Sequence, residues 1–313
     1  MKRLSTRVFL GLLILLLAFG CKKDPVLDYQ PTSEMLQAIE NGRIDFLGVH
    51  DEAVLTASIE IDQIGIYHKF AKFWTYLNQF SSTFDVTDIN YIESLNRKQI
   101  LIGFKNRSIF AFDDVFIPYF TATTDVFNKS CDLVYTRVNK ISYINKTGKS
   151  VDIYPPTFSQ IKNNISCIAA CRDSVWLGTS GIGLYHILPN GDRIIHLAQN
   201  KDLPDNYVMQ IAFDSSKNMV VLCQTGLCIK TAKGWKVIPG HTGVLHNKLS
   251  IGPDGQIYIA TNTGIYLFKD DQLIPMVALN KRLPNKEVLT MAIDSDKVLW
   301  IGTKKGLYKW PQN

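Results

Sequence analysis

The chain has 313 residues, with 46% hydrophobic and 20% charged side chains, a composition that excludes an intrinsically disordered protein. Its formal charge is +6 from 34 basic and 28 acidic residues. The lysines and arginines are scattered, with no basic stripe of the kind that binds nucleic acid.

In chain order, residues 1–20 read as a targeting segment. Lys2, Arg3 and Arg7 precede the apolar run Val8–Phe19, which is too short for a comfortable membrane span. Without those three basic residues the balance is 31 against 28, or +3. The tetrapeptide Ala18-Phe19-Gly20-Cys21 looks like a bacterial lipobox, and Cys21-Lys22-Lys23-Asp24 resembles the start of many Bacteroidetes lipoproteins. That likeness implies acylation of Cys21, residues 21–25 as a lipidated tether, and a position in the cell envelope. The outer membrane, on its periplasmic or surface side, is the expected place. Two or more acyl chains hold a protein stably at a membrane.

Residues 26–313 read as one domain. Short apolar runs joined by polar turns recur along the chain, each a β-hairpin signature. Hairpin positions fall at Gly65, Ser108, Lys140, Gly183, Gly226, Gly264 and Gly306. Successive spacings are 43, 32, 43, 43, 38 and 42 residues. A period near 40 built from short strands predicts an all-β fold, a seven-bladed β-propeller of four-stranded antiparallel blades. The first copy opens at Ile44–Val49, and Phe70–Phe80 and Val115–Phe120 are expected as outer strands of the first two blades. Ser33–Asn41 is expected to form a helical turn or two capped by Ser33. Pro155-Pro156 and Pro204 punctuate connectors. The seventh copy stops after its third strand, at Trp310. An N-terminal strand at Val26–Gln30 is expected to supply the fourth and close the ring.

The clearest hairpins are Val175–Tyr185 and Leu299–Tyr308, with a weaker copy at Ile257–Tyr266. In the last, Trp300 and Gly302 share one face, and Leu299, Ile301 and Thr303 the other. Both faces are apolar or small, as in a strand buried on both sides. Gly306 sits at the turn exit, where positive φ favours glycine. Together with Val288, Met291 and Asp294, and with the connectors Leu283-Pro284-Asn285 and Leu203-Pro204-Asp205-Asn206, this pattern resembles the two-component regulator propeller repeat. That repeat is familiar from periplasmic sensor regions of Bacteroidetes hybrid histidine kinases. The resemblance is strong from about Asn164 onward. It implies a propeller outside the cytoplasm and carries no signalling output, because no kinase or regulator sequence is present here.

Catalytic motifs are absent. The histidines His50, His68, His186, His196, His241 and His246 form no HExxH or other close metal pair. There is no GxSxG elbow, phosphate loop or sialidase aspartate turn. No cofactor and no metal are expected. Asp214, Asp254 and Asp294 recur every 40 residues and are expected to cap turns. Cys131, Cys167, Cys171, Cys223 and Cys228 contain no CxxC and read as buried free thiols. Cys223 and Cys228, flanking the fifth hairpin turn, are the one pair placed for a bridge.

Connectors from an outer strand to the next inner strand converge on one face. Asn163, Asn164, Asp205, Asn206, Tyr207, His246, Asn247, Asn285 and Lys286 lie on them. Amides, a carboxylate and an aromatic ring suit a glycan or a protein partner. The expectation is a monomeric, non-enzymatic envelope lipoprotein that binds such a partner at its loop face. The alternatives are a lyase or hydrolase with its active site in the channel, and a detached sensor module for a two-component system.

Overall fold

The computed structural model describes residues 42–311 apart from 78–84, 95–97, 105–106, 114, 125–126, 129–132, 138–139, 145–146, 148, 157 and 232. The expected signal segment, Cys21 and its tether, the closing strand Val26–Gln30, the Ser33–Asn41 turn and Cys131 lie outside the described residues.

Seven antiparallel sheets follow one another along the chain. Blade one comprises β1 (Phe46–Val49), β2 (Ala53–Ser58), β3 (Gln63–His68) and β4 (Phe73–Leu77). Blade two comprises β5 (Ile89–Ser94), β6 (Ile100–Phe104), β7 (Arg107–Asp113) and β8 (Val115–Thr124). Blade three comprises β9 (Phe127–Asn128), β10 (Leu133–Arg137), β11 (Lys140–Ile144) and β12 (Ser150–Ile153). Blade four comprises β13 (Ile165–Cys171), β14 (Ser174–Thr179), β15 (Leu184–Ile187) and β16 (Arg193–His196). Blade five comprises β17 (Val208–Phe213), β18 (Met219–Cys223), β19 (Gly226–Thr231) and β20 (Gly234–Pro239). Blade six comprises β21 (His246–Ile251), β22 (Ile257–Thr261), β23 (Gly264–Lys269) and β24 (Gln272–Pro275). Blade seven has three described strands, β25 (Val288–Ile293), β26 (Leu299–Thr303) and β27 (Gly306–Trp310).

The core is divided among the interfaces between blades. Seven apolar clusters each join neighbouring blades, and together they run round the whole ring. This explains the two-faced strands of the repeat. In β26, Leu299 and Ile301 pack toward blade six, while Trp300 packs with Tyr67 and Val54 of blade one. Burial on both sides removes apolar surface from water twice over, so the strand has no polar face.

The repeat's invariant-looking residues have separate local jobs. Thr303 Oγ1 donates to Gly306 O at 3.2 Å and accepts from the Lys305 N–H at 3.0 Å, which caps the turn. Thr179 and Thr261 do the same for Gly183 and Gly264. Gly306 has φ +129°, the conformation expected of a turn-exit glycine. Gly302 serves close approach instead: a Cβ there would lie 2.6 Å from Thr290 Cγ2 and 2.9 Å from Ile44 Cγ2. Gly178 stands in the same relation to Val208, the entry residue of blade five, at 2.6 Å. Ile44 is therefore to blade seven what Val208 is to blade four. Its N–H donates to Thr303 O at 3.0 Å, as His246 N–H donates to Gln224 O at 2.9 Å.

Two expectations need correction, and one feature of the connectors was not expected. Gly65 is not a turn glycine; it lies within β3 opposite Thr56, with Trp74 against it, and Asp62 at φ +51° closes that turn. The connectors carry two short helices that the repeat pattern does not signal, α1 (Phe158–Ile161) and α2 (Val277–Arg282). On α2, Asn280 acts as a strand edge, bonding Ile265 N–H at 2.8 Å and Ile265 O at 2.9 Å. Finally, Cys171 is disulfide-bonded, to a residue outside the described ones, whereas Cys167, Cys223 and Cys228 are buried free thiols.

Among the described residues, no helix is long and apolar enough to cross a membrane.

Candidate functional site

Antiparallel pairing puts the connectors between blades and the turns between second and third strands on one face of the ring. The turns after the inner strands lie on the other. Asp214, Asp254 and Asp294 sit on that second face and cap its turns, Asp214 Oδ1 accepting from Asn218 N–H at 2.8 Å and Asp254 Oδ1 from Gln256 N–H at 3.1 Å. Asp294 does more. Its Oδ1 accepts from Asp296 and Val298 N–H, and its Oδ2 accepts from Trp300 Nε1–H at 2.9 Å and from Lys69 Nζ at 2.7 Å. Lys69 belongs to blade one, so this carboxylate joins the first and last blades.

On the connector face, most of the polar residues singled out from the sequence are engaged inside the fold. Asp205 Oδ1 accepts from Tyr207 N–H at 2.7 Å, and its Oδ2 accepts from Thr225 N–H at 2.7 Å and Thr225 Oγ1 at 2.5 Å. Asn206 Oδ1 accepts from Ala198 N–H at 2.8 Å, its Nδ2 donates to Gln199 Oε1 at 3.3 Å, and its carbonyl accepts from Gly181 and Gly183 N–H at 3.1 Å. Asn247 Nδ2 donates across to Val288 O at 2.7 Å, linking blade six to blade seven. Asn285 Oδ1 accepts from Glu287 N–H at 2.8 Å. Asn164 offers its carbonyl to Ser180 N–H at 2.8 Å. His246 is buried, and its Nδ1 lies 3.1 and 3.2 Å from the carbonyls of Cys223 and Gly226. Two carbonyl partners require the proton on Nδ1, and burial lowers the pKa, so the ring is neutral.

What this leaves at the surface is Tyr207, 50% exposed, with Asn163, Lys286 and the side chain of Asn164. Tyr207 lies against Gly181, and its backbone bridges Ser180 of the preceding blade. Ile182 and Leu245, 37% and 42% exposed, lie on the same face and were not singled out in the sequence. Beside Leu245 runs an open groove of about 490 Å³, walled by Leu203, Pro204, Val237, Pro239 and His241. Leu203 itself is buried, which is why the Leu-Pro connector is part of the repeat.

The channel is the second concavity. Its cavity of about 270 Å³ is walled by inner strands β1, β5, β17, β21 and β25, and the described lining includes Glu93 and Lys248. Side chains tie neighbouring inner strands together: Ser250 Oγ donates to Met291 O at 3.0 Å, Leu249 N–H to Gln210 Oε1 at 2.9 Å, Val49 N–H to Ser94 Oγ at 3.0 Å, and Ser166 Oγ to Val208 O. Among the described residues no group of His, Cys, Asp or Glu is arranged to hold a metal ion.

Comparison with known proteins agrees with this architecture. Residues 282–305 match the two component regulator propeller family. No curated protein matches the chain. Two solved structures from B. thetaiotaomicron, each the extracellular domain of a hybrid two component system, are similar at TM-scores of 0.60 and 0.62 and 17% identity. They cover 90% and 87% of this chain, which spans 40% and 41% of theirs. Virginiamycin B lyase from Staphylococcus aureus is similar at TM-score 0.59 and 11% identity, over 86% of this chain and 94% of the lyase. The chain is a seven-bladed β-propeller whose last blade carries a two component regulator propeller repeat.

Proposed function

We propose that the chain is a non-enzymatic envelope lipoprotein, held at a membrane through an acylated Cys21, whose propeller binds a protein or glycan partner on its connector face. In this reading residues 1–20 are a cleaved signal, residues 21–25 a tether and residues 26–313 the propeller, with Val26–Gln30 as the outer strand beyond β27. The observation that carries it is the placement of Tyr207: a half-exposed aromatic ring on a connector whose Asp205 and Asn206 side chains bond within the fold. A rigid loop that displays an amphipathic ring loses little entropy on binding. Likeness to extracellular domains of two component systems supports an envelope location, as does the disulfide at Cys171. The same likeness favours, as a second reading, a sensor module that works with a separate kinase. Co-purification with an inner-membrane histidine kinase tests that reading.

The direct test places a photo-crosslinking residue at position 207 and, as control, at Gly255 on the opposite face, in cells carrying the full chain. A partner trapped from position 207, not from 255, and lost on Leu245→Asp supports the connector face. Equal trapping from both positions, or from neither, refutes it. Metabolic labelling with a fatty-acid analogue, lost in Cys21→Ser, tests the anchor.

A further inference from the structure

The connector face does not use the channel, and the channel holds charges that the fold does not explain. Lys248, half-buried on β21, lines the cavity and has no hydrogen-bond or ion-pair partner among the described residues. Glu93 on β5 lines the same cavity. Three steps round the ring separate blade six from blade two, and the two groups form no ion pair with each other. Glu93 Oε2 accepts from the Tyr91 hydroxyl at 2.5 Å, which leaves Oε1 as an acceptor. Gln210 uses Oε1 to accept from Leu249 N–H, and its Nε2 donors remain uncommitted. Ser94 Oγ accepts from Val49 N–H and keeps its own proton to donate.

The cavity therefore offers an ammonium with amide donors, a carboxylate from another inner strand, and half-buried apolar surface from Ala212, Phe213 and Ile293. Each group keeps hydrogen-bonding capacity that the fold does not use, and a ligand group of opposite charge can take it up. A simple anion would satisfy Lys248 but face Glu93. A neutral sugar would leave both charges unpaired. We infer that the channel binds a small zwitterion of the free α-amino acid class, its carboxylate at Lys248 and Gln210, its ammonium at Glu93 and its side chain on the apolar surface. A cavity of about 270 Å³ suits a ligand of that size and is below the range of drug-sized ligand sites.

Calorimetric titration of the full chain with a panel of free amino acids, together with their N-acetyl and carboxamide forms, tests the inference. Saturable binding of at least one free amino acid is expected. Blocking either charge of the ligand should weaken it about tenfold or more, as for loss of one charge-assisted bond. Lys248→Met should erase the preference for the acid over the carboxamide, and Glu93→Gln the preference for the free amine over the N-acetyl form. The blocked ligands read the same two contacts on the unaltered protein, so the test survives a variant that fails to fold. Absence of binding by every free amino acid at millimolar concentration overturns the inference. So does tighter binding of inorganic phosphate or of a neutral monosaccharide, or indifference to both ligand charges. The crosslinking test at position 207 reads a different face, so either proposal fails without the other.

Discussion

Replacing Asp294 with Asn should weaken the ring at the junction of its first and last blades. Asp294 and Lys69 side chains are 3% and 13% exposed, so their 2.7 Å contact is a buried ion pair. Asn keeps a carbonyl oxygen for the two turn N–H groups but sets an N–H donor where Oδ2 stood. Two donors, Trp300 Nε1–H and the Lys69 ammonium, then face a third. Removing one partner of a buried pair costs about 3–5 kcal/mol, and an orphaned donor about 1–3 kcal/mol. These do not add, because Lys69 retains some access to water and lies 5.5 Å from the Trp300 ring centroid, where a cation is still favoured. The expected loss for Asp294→Asn is about 3–5 kcal/mol. Lys69→Met should cost less, since the carboxylate keeps its three N–H donors. The double variant should be less destabilised than the sum of the two. Urea unfolding followed by tryptophan fluorescence reads this as a shift in midpoint at constant slope. The exposed pair Lys236–Asp271, 49% and 62% exposed at 2.5 Å, is the control, and its removal should cost under about 1 kcal/mol. If Asp294→Asn behaves like that surface pair, the junction is not held by this carboxylate and the reasoning is wrong.

Gly302→Ala should cost about 1–3 kcal/mol by overpacking, since its Cβ would intrude on Thr290 and Ile44; an unchanged urea midpoint would show that blades seven and one pack less closely there. Stability should also fall with acid through His186. Burial first, then Lys230 and His196, lower its pKa from 6.5 to about 4 while its ring stacks on Trp176 at 4.0 Å. Between those values the unfolded chain binds the proton and the folded one does not. Its contribution is therefore complete above about pH 6.5 and declines as pH falls toward about 4. His186→Phe, which keeps a ring on Trp176, should flatten the urea midpoint in that window, and an unaltered slope would count against the assignment. The three free thiols should resist alkylation in the native state and react on unfolding. Burial pushes Cys167 up to about 12, and the hydrogen bond with Cys228, followed by burial, raises Cys223. Rapid native labelling counted by mass spectrometry would contradict that.

The ring was legible where one residue type has one physical use. Leu299–Thr303 reads as a strand buried on both faces because a blade packs against two neighbours, and Gly306 reads as a turn exit at the end of a polar turn; that Thr303 caps this turn came only from the structure. Legibility failed where one residue type has two uses. Gly65 sits at the expected interval, yet it makes room for Trp74 rather than taking a positive φ. Glycine for close approach and glycine for a turn look alike in sequence. Lys69 and Asp294 are 225 residues apart, and no local pattern announces a contact that exists only when the ring is complete. Glu93 and Lys248 belong to no motif at all, since each is an ordinary charge until the inner strands are brought round one axis.

The connectors raise the same difficulty in a form that bears on function. Asp and Asn at a blade junction are what a binding loop would carry, and they are also what a loop needs to saturate the N–H groups exposed where two strands part. Asp205, Asn206 and Asn285 meet that second need, and Asn247 does the same for a carbonyl, that of Val288. Their substitution would loosen the connector and weaken any partner indirectly, so a loss of binding in Asp205→Ala would not locate a contact. Tyr207 and Leu245 have side chains at the surface while their backbones take part in the junctions. Changing those side chains alters what a partner meets and leaves the bonds that hold the loop in place. For a ring whose blades are fixed by packing on both sides, residues of this kind are the informative ones to vary.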